Sequence, residues 1–268
     1  MKKFQALFKF DPRFAMMVGV ERECHLTVGG TIAPIAPQVI EFIKQRANGR
    51  GSCYGNELSA CQFEEKFDEP CDLGRIEAKF AENEREIQAA ERALGFGRVF
   101  VPAAPLDMPL NIYPDERYLR ITRDMPMEVV RAACRVAGVH VHIGMPDHDS
   151  ALRVYNEAVR HFDELCELGS TEERLREYRR AAKGMSTRME LFRDHLMTSF
   201  VPPSYPGWAE FHARAVKDGF ADDPRRLWDF IRISKHGTIE FRMFDTTRDV
   251  SLIVSWARFV HEICARAV

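Results

Sequence analysis

Glu21 and Glu23, His140 and His142, and Glu240 and Arg242 form three pairs of polar residues, each pair split by one residue inside a run that otherwise reads as β-strand. Successive strand residues point to opposite faces, so each pair projects from one face while Val18, Val20, Val139, Val141, Ile143, Ile239, Phe241 and Met243 pack on the other. With these strands as neighbours, the polar face becomes a basin of carboxylates, imidazoles and a guanidinium. Clustered carboxylates repel one another and desolvate poorly without cations, so a divalent metal is the natural filler.

Glu21, Glu23, Glu57, Glu64 and Glu240 all sit in or beside strands, where glutamate is depleted. Any one of them alone reads as an exposed sheet residue. Five, with a His-x-His pair on another strand, point to a metal site, and oxygen-rich donors favour Mg2+ or Mn2+ over zinc. His140-Val-His142 by itself also opens zinc sites in hydrolases, so that reading stays available. A carboxylate holding metal beside the Arg242 guanidinium suits an anionic group undergoing phosphoryl transfer. Arg232 and Lys235, on the preceding strand, add positive charge near the same spot. The sequence has no GxxxxGK[ST] segment, so the phosphates are not held in a P-loop.

The elements that must position these residues follow from periodicity and turn signals. Residues 16–28 alternate as a strand and end at the Gly29-Gly30 turn. A helix is expected from Ala36 to Ala47, and residues 53–67 read as one second strand carrying Glu57, Gln62 and Glu64. Within one strand Glu57 and Glu64 differ in parity, so they converge only if a bulge or turn lies between them. A long amphipathic helix spans about Leu73 to Leu94, 101–114 is loop, and 131–145 leads into a strand ending at Gly144. Helices follow over 150–168, 171–183 and 186–198. Pro202, Pro203 and Pro206 make the next stretch loop. Strands 229–235 and 238–245 flank a hairpin turn at His236-Gly237, and a helix over 250–267 ends the chain. Strands far apart in sequence with helices between them imply an α+β arrangement, an antiparallel sheet covered by helices on one side.

The 268 residues, 46% hydrophobic and 29% charged, suffice for a large core, read as a single domain over 1–268. The balance of 38 basic against 40 acidic residues gives a net charge of -2, which argues against nucleic acid as a partner. The seven cysteines are scattered, lack CxxC spacing and follow no apolar leader, as expected for buried thiols in a cytoplasmic protein. Cys24 is assigned to the core side of its strand. No apolar run reaches the roughly 20 residues that span a bilayer, so no membrane partner is expected.

Taken in order, Gly19-Val-Glu-Arg-Glu23, Glu57-Leu-Ser-Ala-Cys-Gln62-Phe-Glu64, Val139-His-Val-His-Ile-Gly144, Ser186-Thr-Arg188, Pro206-Gly-Trp-Ala-Glu-Phe211 and His236-Gly-Thr-Ile-Glu-Phe-Arg242 resemble the glutamate–cysteine ligase family, in particular its bacterial carboxylate-amine ligase branch. The resemblance spans about 19–245. It implies a glutamine synthetase-like fold: a curved antiparallel β-sheet, a half-barrel funnel with helices on its outer face, holding ATP at one end and metals in the middle. It also implies the reaction, in which ATP phosphorylates a carboxylate of glutamate-like character and an amine attacks the acyl phosphate to give an amide, ADP and phosphate. By the same resemblance Glu21, His140 and Glu240 are one metal set, and Glu23, Glu57 and Glu64 another, with Gln62 in reserve. Arg242 steadies the transferring phosphoryl group, His142 and Arg232 face phosphate or substrate, and Arg188 faces the carboxylate substrate. Two departures stand out: the chain is short for the family, and Arg22 occupies a place that is commonly acidic in this branch.

The expectation is therefore an ATP- and Mg2+- (or Mn2+-) dependent carboxylate-amine ligase acting on small molecules, with a homodimer as the default assembly. Two alternatives stay open. One is a zinc hydrolase using His140, His142 and a glutamate, and the other is a non-catalytic nucleotide-binding member of the family.

Overall fold

The computed structural model describes residues 2–46, 49–171, 186–197 and 199–268. The expected helix over 171–183 lies almost wholly outside them. In chain order the elements are a short helix α1 (Lys2–Gln5), β1 (Val18–Val28), β2 (Thr31–Ile32), α2 (Ala36–Lys44), β3 (Tyr54–Asn56), β4 (Gln62–Lys66), α3 (Ile76–Leu94) and β5 (Gly97–Val99). There follow α4 (Glu116–Thr122), α5 (Met127–Arg135), β6 (Gly138–Gly144), α6 (His148–Arg160), α7 (Phe162–Gly169) and α8 (Thr187–Leu191). The last elements are α9 (Trp208–Lys217), β7 (Ile231–Ser234), β8 (Thr238–Asp245) and α10 (Val250–Ala265).

All the strands join one open antiparallel sheet in the order β3-β4-β1-β6-β8-β7, with β2 and β5 pairing to β1 beyond its main partners. The architecture is α+β, as the interleaved strands and helices predict. The eleven residues of β1 form its spine, and period-two alternation sorts them. Val18, Val20, Val139, Val141, Ile143, Ile239, Phe241 and Met243 are at most 1% exposed and share one core cluster. Helices α6, α7 and α10 pack against β6, β7 and β8 on this side. Trp256 of α10 is fully buried and stacks on Phe244, ring centroids 4.9 Å apart.

Three departures from the sequence reading matter for the site. The 53–67 stretch is not one strand: β3 and β4 form a hairpin, in which Ser59 Oγ accepts from the Cys61 N–H. This is the break that lets Glu57 and Glu64 converge. Strand β6 pairs with β8 through a bulge, Val139 facing Phe244 but Val141 facing Phe241, so β8 carries one extra residue. Met243 and Phe244 are consequently both buried, and His142, not His140, lies opposite Glu240. Finally, α5 runs into residues that read as a lead-in to strand from Arg131 onward, and α4 and α9 occupy residues to which the sequence assigns no element. Apolar residues of α5 (Val130, Ala133, Cys134) recur at helical spacing and face the 192–196 segment.

The expected helix over 150–168 divides at His161 into α6 and α7, and the expected 186–198 helix is α8 followed by a wider π-type turn over Phe192–Leu196. The hairpin turn between β7 and β8 falls where His236-Gly237 predicts. Gly237 takes φ 76° there, and a Cβ would lie 2.2 Å from the Lys9 carbonyl oxygen. All seven cysteines are buried and free, with Cys24 in a core cluster.

Candidate active site

A cavity of about 930 Å³ opens over the polar face of the sheet. Glu21, Glu23, Glu57, Glu64, His140, His142, Arg188, Arg232, Lys235, Glu240 and Arg242 all line it. Pairing on β1 explains the convergence: Glu21 faces His140 of β6 and Lys66 of β4, and Glu23 faces Glu64. Arg22, of opposite parity, turns away from the cavity. Its Nε donates to Glu65 Oε1 at 2.8 Å within a buried ion pair, and its guanidinium lies 4.6 Å from the Phe80 ring centroid.

Two groups of side chains bring potential ligand atoms within 4.8 Å of one another: Glu21, His142 and Glu240, and Glu23, Glu57 and Glu64. The first differs from the expected set, because the β8 bulge puts His142 opposite Glu240. His140 sits between the two groups, its Nδ1 3.2 Å from Glu21 and its Nε2 3.5 Å from Glu23. His142 Nδ1 contacts Thr238 Oγ1 at 2.8 Å, leaving Nε2 buried without a hydrogen bond and 3.7 Å from Glu21.

Electrostatics distinguish the groups. Burial opposes ionisation of Glu240, but Arg232 and Arg242 outweigh it and hold its pKa far below the usual carboxylate range. Arg232 grips Glu240 with Nε at 2.6 Å and Nη2 at 2.9 Å, and Arg242 adds a third contact. Both Glu240 oxygens are thus already matched by guanidinium. Glu21 is likewise held well below its usual value, burial being outweighed by the neighbouring His140 and His142 imidazoles. Burial pulls His140 down to about 3, with Arg242 adding to it, whereas Glu240 and Glu21 overcome burial and raise His142.

The second group is anionic excess. Burial pushes Glu23 up to about 7 despite Arg188 and Arg242, and Glu57 is also raised well above its usual value, by burial and by its carboxylate neighbours. Glu64 is raised by burial and by Glu21, although Lys66 Nζ donates to it at 3.0 Å. Three close carboxylates with one ammonium between them fit a hard divalent cation such as Mg2+ or Mn2+, which would remove the repulsion that displaces their pKa values. The Glu21–His142–Glu240 group fits less well while both arginines hold Glu240.

Arg188 is 1% exposed, lies 4.8 Å from the Phe192 ring centroid and donates from Nη1 to the Arg242 carbonyl at 2.8 Å. Its Nε is buried without a partner, and burial lowers its pKa. A buried guanidinium with donors to spare is suited to receive a carboxylate. Gln62 is not among the clustered ligands: its side-chain amide donates to the Val136 carbonyl.

Several cavity residues escaped the sequence reading. Arg225, Arg226 and His236 line the cavity near Lys235, giving that end a basic character. The adjacent arginines just before β7 were the available signal. Tyr118 of α4 lines it too, its hydroxyl donating to the Asn56 carbonyl at 3.0 Å beside Glu57. No helix among the described residues is long and apolar enough to cross a membrane.

The family model described as Glutamate-cysteine ligase family 2 (GCS2) matches residues 17–168. Among curated relatives, the Solibacter usitatus protein named "Putative glutamate--cysteine ligase 2" is 28% identical over 164 residues, 58% of this chain and 40% of that one. The Mycolicibacterium smegmatis namesake numbered 2-3 is 26% identical over 249 residues, 90% of this chain and 66% of its own. The matched stretch is thus about two-fifths of the Solibacter protein's length. Among solved structures, a bifunctional glutathione synthetase from Pasteurella multocida superposes with TM-score 0.57 at 14% identity, covering 91% of this chain and 38% of that one, a likeness of fold.

Proposed function

This chain belongs to the glutamate–cysteine ligase family 2, and from that footing we propose that it is an ATP-dependent carboxylate-amine ligase, forming an amide from a small acid, glutamate-like in character, and an amine. The observation that carries the reading is the shared cavity, where the three-carboxylate cluster, the Arg232–Glu240–Arg242 clasp and the Arg188 guanidinium, its Nε without a hydrogen-bond partner, face one space.

A carboxylate resists amines because its charge repels them and oxide is a poor leaving group. In the proposed reaction a substrate carboxylate oxygen displaces ADP from the terminal phosphorus of ATP. The amine then adds to the resulting acyl carbon, phosphate departs, and the amine loses a proton to give the amide. Arg188 holds the acid. Arg242, anchored by Glu240, lies against the transferring phosphoryl group and offsets its growing charge, with His142 Nε2 directed at the same oxygens. Arg232, Lys235, Arg225 and Arg226 supply the positive flank for the nucleotide phosphates. Glu23, Glu57 and Glu64 would hold Mg2+ or Mn2+, whose contribution is to neutralise phosphate charge.

The test is direct: purified protein with ATP and Mg2+ should release phosphate only when an acid and an amine are both present, and mass spectrometry of a mixed amino-acid and amine pool should reveal the new amide. Zinc that co-purifies with the protein, together with hydrolysis that needs no nucleotide, would refute it. So would tight nucleotide binding without turnover under any amine.

A further inference from the structure

Gly138 opens β6 at the point where the cation cluster and Arg188 meet. Its N–H donates to Glu23 Oε2 at 2.7 Å, and the residue is buried. A Cβ built there would lie 2.4 Å from Arg188 Nη2, 2.6 Å from Cζ and 2.8 Å from Nε. The guanidinium therefore lies flat on bare backbone, in space that any side chain would claim. Phe192 and Phe230, 4.8 and 5.6 Å away, border it, and the Arg242 carbonyl fixes one edge. Arg188 itself lies in the first turn of α8, just after Ser186, whose Oγ donates to Asp245 at 2.7 Å.

We propose that Gly138 is a positioning residue: by lacking a side chain it seats the Arg188 guanidinium at the depth where its free Nε meets the acid, while its N–H orients Glu23 toward the cation cluster. This rests on the reading of Arg188 as receptor of the acid. One backbone unit thereby sets the relative placement of acid and cation. A methyl group at 138 keeps the N–H, and so the Glu23 contact, but drives the guanidinium into the cavity.

The experiment follows the Arg188 Nε–H resonance by 15N NMR, assigned by its loss in Arg188→Lys. In the wild type it should be slow to exchange, shifted by the rings of Phe192 and Phe230, and moved by added L-glutamate. Gly138→Ala should lose the shift and the protection and weaken L-glutamate binding by roughly tenfold or more, the cost of a hydrogen bond to a charged group. Mn2+ binding, followed by electron paramagnetic resonance, should be little changed. In an Arg188→Lys background, Gly138→Ala should weaken L-glutamate no further. Full L-glutamate affinity in Gly138→Ala, or additive losses in the double variant, would overturn the proposal. If Gly138→Ala does not fold, the wild-type resonance decides: fast exchange at the position of free arginine refutes the seating. A wild-type resonance untouched by L-glutamate defeats the receptor reading instead, while its response to Gly138→Ala still decides the packing.

Discussion

Glu23→Gln separates a cation cluster from an ordinary patch of acidic residues. Burial, only partly offset by Arg188 and Arg242, lifts the Glu23 carboxyl from 4.5 to about 7 in the cation-free protein. A group whose folded pKa exceeds its unfolded value lends stability that is fully present below the unfolded pKa. That stability is lost as pH rises through the folded pKa, here between about 4.5 and about 7. The displacement corresponds to about 3 kcal/mol, and because Glu23 is only 7% exposed, solvent does little to screen it. Across 268 residues this is roughly 5 °C in Tm. Glutamine cannot ionise and keeps an oxygen for the Gly138 N–H. After dialysis against EDTA, wild type and variant should therefore melt closest together at about pH 4 and below, and by pH 8 the variant should melt roughly 5 °C higher. Saturating Mn2+ at pH 8 should reverse the order, because the variant has lost one of three carboxylates. Glu57 and Glu64, whose repulsion with Glu23 the variant removes, act in the same direction, and titrating groups remote from Glu23 cancel in the difference. A difference independent of pH in EDTA, or equal stabilisation of both proteins by Mn2+, would refute the cluster as a cation site.

Glu240→Gln should cut ATP turnover with acid and amine by roughly two to three orders of magnitude by freeing Arg232 and Arg242, while a Mn2+ titration still shows the Glu23–Glu57–Glu64 site. Breaking the buried Arg22–Glu65 pair with Arg22→Met alone should cost about 3–5 kcal/mol in urea unfolding, and adding Glu65→Leu should recover much of it. Trp256→Ala, which empties the space against Phe244, should cost about 3–5 kcal/mol without altering Mn2+ affinity, as judged by paired unfolding and titration curves.

The polar face was legible in the sequence because period-two alternation is a local property. Glu21 and Glu23 on β1, or Glu240 and Arg242 on β8, declare a shared face wherever the strand lies. Which histidine meets Glu240 was not legible, since the bulge opposite Val139–Val141 depends on the register between strands almost a hundred residues apart in sequence, as the His142–Thr238 contact spans 96 positions. The Glu57–Glu64 parity conflict showed that a break had to exist, but Cys53–Phe67 mixes polar and apolar residues too evenly to show where. Helix α5 escaped because its apolar face is short and runs into the β6 strand pattern with only Val136 and Ala137 between. The Arg188 seat escaped for a different reason: a glycine that makes room for a distant side chain leaves no periodic trace.

The hydroxyl of Thr246 donates to the Glu23 carbonyl across 223 residues, and β1 reaches β8 only through β6. A ribosome synthesising the chain therefore exposes β1 and then β6 before β8 exists to cover them. During that interval the edge of β6, with Val139, Val141 and Ile143, is a sticky ribbon without its final neighbour. Nascent chains halted before residue 238 should be ready clients for chaperones and prone to aggregate. The polar basin can come into being only when nearly all of the described chain has emerged, so unfinished copies lack the Arg232–Glu240–Arg242 contacts that close it.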